Sequence, residues 1–215
     1  ESRKLVLSEK KASLVAKLTN LELGQLNDAT TGAIKISSQG KTYSGSASAL
    51  ATALTGTVTD NAGNALSGAM TVSDDAGTSV AATLLSTIGG ATTGQVTVTN
   101  ALTITGNLTQ AIAALHTDST KVIAETSNVT ITGVGSDTGS LTNITNKTSG
   151  TVSYTISDTT TNLNSASAST LIQASTITGT DDAGTVGSTV DLDGFSSVAN
   201  LSTMTLTGDA GVNSV

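Results

Sequence analysis

Three aromatic rings are all this chain has: Tyr43, Tyr154 and Phe195, with no tryptophan. Such rings usually supply much of a compact core's buried area. The interior must therefore be built from Val, Ile, Leu, Ala and the methyl groups of Thr. Cysteine is absent, which excludes disulfides, thiolate metal sites and a cysteine nucleophile. That fits a bacterial surface protein that does not rely on disulfides. Proline is absent too, while glycine reaches 22 residues. No stretch approaches the roughly 18 apolar residues of a membrane span, and no signal peptide is visible. The chain starts at Glu1 and stops inside a recurring phrase, so a fragment of something longer is expected.

Positive charge is scarce as well. Nine Lys and Arg face sixteen Asp and Glu, for a net charge of -7. Seven of the nine basic residues are Arg3, Lys4, Lys10, Lys11, Lys17, Lys35 and Lys41, against four acids in the same stretch; beyond it Lys121 and Lys147 face twelve acids. An acidic body with almost no arginine is a poor partner for nucleic acid, whose backbone needs clustered positive charge. Charged residues make up only 12% of the chain and hydrophobic ones 37%, the reverse of a disordered composition. An ordered chain with a thin core is expected.

What is present is a repeated alternation. The runs "AIKIS", "GTVTD", "AMTVSD", "QVTVTN", "NVTITG", "TVSYTISD", "STITGTD" and "MTLTGD" each alternate an apolar residue with Thr or Ser, the pattern of half-buried strands. Threonine's branched Cβ favours extended backbone and its hydroxyl tolerates water on the outer face. Several runs end in a "D-x-A-G" phrase: "TVTDNAG", "TVSDDAG", "TGTDDAG" and, with one residue fewer, "TGDAG". Asp and Asn bond their own backbone and glycine accepts positive φ, so these phrases read as turns.

A second phrase lies between the strands: "SLVAKL", "ALATAL", "AATLLSTI", "QAIAAL", "STLIQA" and "VANLST". Its spacing is about 30 residues, within the range that marks stacked repeats. Each such Leu/Ala piece is either a single helical turn or a second strand. The opening "SEKKASLVAKLTNLELGQL" puts Leu14, Leu18 and Leu21 on one helical stripe, with Ser8 placed to cap it. Residues 1–30 are therefore expected to form a separate N-terminal segment, a short helix or a capping coil, and residues 31–215 a Thr/Val-rich β repeat region. The expected fold class is mainly β: a parallel β-solenoid-like array with short Leu/Ala segments between strands. Tandem Ig-like β-sandwiches are the alternative, although their period would be nearer 100 residues.

The Thr/Ser/Ala/Gly/Val bias, the "ITGTDDAGT" phrase and the near-absence of aromatics resemble long repetitive bacterial surface proteins, especially cyanobacterial and S-layer-type ones with RTX-like calcium repeats. The final "LTGDAGVNSV" is similar to the opening of such a block, with Gly208, Gly211 and Asn213 at its glycine and Asp/Asn positions and Val215 at its strand position. The resemblance implies calcium at Gly208, Asp209, Gly211 and Asn213. The neighbouring acids Asp181, Asp182, Asp191 and Asp193 are further calcium candidates, because a calcium cage needs six to eight oxygens.

No catalytic residue is expected. His116 is the only histidine, and serine and aspartate are too abundant for a triad to be read from sequence. No phosphate loop, zinc-protease helix motif or dinucleotide fingerprint occurs. A polysaccharide-active enzyme would need two acids across a cleft, and sugar clefts usually add aromatic platforms. The expectation is a non-enzymatic structural protein of an extracellular surface assembly: an S-layer, filament or adhesin, self-associating, stabilised by calcium, and facing a cell-surface polysaccharide or host surface. A phage or virion fibre or decoration protein is the alternative.

Overall fold

The computed structural model describes residues 23–25, 33–36, 40–55, 58–117, 122–135, 138–166, 171, 174–180 and 203–207. The chain runs β1 (Ile34–Ile36), β2 (Tyr43–Gly45), α1 (Ala47–Leu54), β3 (Val58–Asp60), β4 (Met70–Val72), β5 (Ser79–Ala81), α2 (Ala82–Gly90), β6 (Val96–Val98) and β7 (Thr103–Gly106). It continues with α3 (Leu108–Leu115), β8 (Val122–Ile123), β9 (Asn128–Gly135), α4 (Thr138–Thr145), β10 (Val152–Thr159), α5 (Thr160–Ser165), β11 (Ala174–Thr180) and β12 (Thr203–Thr207).

Every strand ladder described is parallel. One sheet has the order β2-β4-β6-β8, a second β5-β7-β9-β10-β11-β12, and β1 pairs with β3. Parallel neighbours need a crossover connection, usually a helix, and three of the Leu/Ala phrases, "ALATAL", "AATLLSTI" and "QAIAAL", supply it as α1, α2 and α3. The expected mainly β array is thus corrected: the fold is mixed α/β, with helices recurring between parallel strands. It is not a pair of Ig-like sandwiches either, since those are built from antiparallel sheets.

The physical reason is local. Ala and Leu are among the best helix formers, and "ASALATAL" and "LTQAIAAL" each carry a cap. Ser46 accepts the Ala49 backbone N–H at 3.2 Å. At α3 the Asn107 carboxamide oxygen accepts the Gln110 N–H while the Gln110 side-chain oxygen accepts the Asn107 N–H, both at 2.9 Å. This reciprocal capping box satisfies two donors that a helix start leaves open.

The repeat length also differs from the expected 30. Cross-turn hydrogen bonds join residues 24 to 27 apart in the first half, such as Thr92 to Gly68 and Thr99 to Val72. They join residues 21 to 24 apart farther on, such as Ser175 to Tyr154 and Ser149 to Glu125.

One core runs through the described residues. Strand side chains alternate as the sequence pattern requires: Ile34 and Ile36, Met70 and Val72, Val96 and Val98 point inward, and Lys35, Thr71 and Thr97 point out. Helix faces complete it with Leu50, Leu54, Leu85, Ile88, Leu115, Leu141 and Ile144. Helices α1 to α4 lie in a row, each touching the next. Tyr43 and Tyr154 are both buried, so the scarce rings sit inside. Residues 23–25 are helical; the rest of the stretch expected to form an N-terminal helix lies outside the described residues.

Candidate functional site

The "D-x-A-G" phrases are the natural place to look for chemistry, and the two that are fully described are turns. Gly63 has φ 90° and Gly77 φ 81°, values that only glycine adopts without strain. In the first phrase the Asp60 carboxylate accepts the Asn64 N–H at 2.7 Å and the Asn64 carboxamide at 3.2 Å. The Gly63 N–H donates to the Asp60 carbonyl at 3.1 Å. These bonds hold the Asp60 carboxyl below its usual pKa of 3.8, the backbone bond from Asn64 being the largest cause.

In the second phrase the carboxylate reaches across the structure. Asp74 accepts the Ala47 N–H at 2.7 Å, the first N–H of α1. The Asp74 carbonyl then accepts the Asn100 carboxamide at 2.7 Å. Successive turns of the chain are thereby tied at one corner. At α5 the cap is Thr159, whose hydroxyl accepts the Asn162 N–H at 3.3 Å, while the Asp158 carboxylate beside it accepts the Thr159 N–H and the Asn162 carboxamide, both at 2.8 Å.

A second device involves hydroxyls. Buried Thr92 lies against two carbonyls of the preceding turn, Leu66 at 3.0 Å and Gly68 at 2.6 Å, and accepts the Gly94 N–H at 3.0 Å. Thr148 does the same with the Glu125 and Ser127 carbonyls and the Gly150 N–H. The residues are Thr92-Thr93-Gly94 and Thr148-Ser149-Gly150, so Thr-Ser/Thr-Gly is a recurrent clamp between turns. Its signal is a short phrase just before a strand, which reads from sequence only as turn composition.

Two polar atoms are buried without a hydrogen-bond partner among the described residues: the Tyr43 hydroxyl and His116 Nδ1. His116 is the C-cap of α3, its backbone N–H donating to the Ile112 carbonyl at 2.9 Å. The Lys41 ammonium stands 5.1 Å from the Tyr43 ring centroid, a cation–π distance.

Among the described residues no group of three or more His, Asp or Glu side chains is placed to hold a metal ion. The expected calcium residues Asp181, Asp182, Asp191, Asp193, Gly208, Asp209, Gly211 and Asn213 all lie outside the described residues. Strand β11 ends at Thr180, directly before Asp181, and β12 at Thr207, directly before Gly208. The order of the described strands never reverses along either main sheet, so it forms no switch point of the kind that opens a ligand crevice in doubly wound sheets. Among the described residues no helix is long and apolar enough to cross a membrane. No protein-family model, curated protein or solved structure matches the chain at a significant level.

Proposed function

We propose that this chain is a non-enzymatic structural component of an extracellular surface assembly, an S-layer, filament or adhesin, and that it self-associates there. The observation that carries the reading is how three of the described acids, Asp60, Asp74 and Asp158, are used. Asp60 closes its own turn, Asp74 caps a helix of the preceding turn, and Asp158 holds the Thr159 N–H and the Asn162 carboxamide at the start of α5. These three carboxylates are engaged in holding backbone in place. Parallel ladders and the Thr92 and Thr148 clamps add to the same end, a framework stiffened by main-chain bonds and not by bulky packing. The likeness of composition to repetitive bacterial surface proteins supports the extracellular setting.

Calcium belongs to this proposal. Asp181, Asp182, Asp191, Asp193 and Asp209, with Asn213 and the backbone carbonyls of Gly208 and Gly211, are oxygen donors of the type that ion takes. Immunogold labelling of the source cells, with electron microscopy before and after a calcium chelator, tests the reading. Label on the outer surface, in an assembly that loosens when calcium is removed, is the expected result. Label confined to the cytoplasm overturns the surface assignment, and an assembly unchanged by the chelator overturns the calcium part alone.

A further inference from the structure

We draw no further inference here: the strongest candidate, the hydroxyl array in which Thr155, Ser157 and Thr159 of β10 stand in register with Thr176, Thr178 and Thr180 of β11 and, beyond them, Thr203 and Thr205 of β12, is an unpartnered sheet face, and nothing in the structure shows what covers it.

Discussion

The Asp74 carboxylate accepts the backbone N–H of Ala47 at 2.7 Å, across 27 residues of chain. One turn of the chain thus finishes a helix that began in the turn before it. Helix starts leave N–H groups open, and a negative side chain there is favoured by the helix dipole as well. Asp74→Ala removes the cap and should cost about 1 kcal/mol. Asp74→Asn keeps an acceptor oxygen and should cost less. Urea unfolding of both variants checks the order; equal stability of Asp74→Ala and wild type would mean the cap contributes nothing.

Thr92 offers a sharper case because its hydroxyl is buried. Thr92→Val preserves shape and removes the contact with the Leu66 and Gly68 carbonyls and the acceptor for the Gly94 N–H. A buried group left without its partner costs about 1–3 kcal/mol. Thr92→Ser, which keeps the hydroxyl, should recover most of that. The same pair at Thr148 should show the same order with a smaller loss, since it makes the equivalent contacts but is only half-buried. Denaturant midpoints of the four variants decide whether the clamp stabilises the fold.

Among the described glycines the tightest backbone approach is at Gly68. A Cβ added there would lie 1.8 Å from the Lys41 carbonyl oxygen, closer than any real contact. Gly68→Ala must therefore push two chain turns apart, a loss of about 4 kcal/mol or more. At Gly90, the last residue of α2, an added Cβ meets nothing within 4 Å. Gly90→Ala should be neutral or stabilise by up to about 1 kcal/mol. Thermal melts of the two single variants should move in opposite directions.

Asp60 gives a pH dependence with a defined sign. Its folded-state pKa lies below the ordinary 3.8 because the Asn64 N–H, and after it the Asn64 carboxamide, stabilise the carboxylate. Its contribution to stability is therefore present above the unfolded pKa and lost as pH falls through the folded one. The melting temperature should drop below about pH 4, and Asp60→Asn should flatten that part of the profile. An unchanged acid limb in Asp60→Asn would show that this turn does not couple to folding.

Particular elements show how far the sequence could be read. All eight alternating runs became strands, because period-two burial is written residue by residue, as in Met70-Thr71-Val72. The Leu/Ala phrases were ambiguous because short apolar runs fit a helix or a buried strand equally well. The helix choice was decided by neighbours: Ser46 for α1, and Asn107 with Gln110 for α3. The Asn107 box is visible in the sequence as N-x-x-Q before "AIAAL". Taking the Leu/Ala phrases as the ruler stretched the repeat to about 30, since helices start at different distances after their strands; β5 runs straight into α2, whereas Asn107 separates β7 from α3. The Asp74 and Thr92 bonds were not legible at all, since each joins residues one full turn apart. The turn role of "D-x-A-G" was legible from Asp and Gly chemistry alone, and Gly63 and Gly77 carry it.

Tyr43 closes the set of tests because its hydroxyl is buried with no hydrogen-bond partner among the described residues. A buried hydroxyl without a partner is a net cost, so Tyr43→Phe should leave stability unchanged or raise it by up to about 1 kcal/mol. The ring, its burial and the Lys41 ammonium over its face are retained in that variant. Burial also raises the ionisation of Tyr43 and Tyr154 above the ordinary value of 10.0. The folded state then holds both phenols protonated while the unfolded chain releases them. Stability is accordingly full below pH 10 and declines as pH rises beyond it. Tyr43→Phe should lose less stability than wild type in that alkaline range, and phenolate absorbance in wild type should appear together with unfolding. A destabilised Tyr43→Phe would instead show that the hydroxyl is hydrogen-bonded in solution.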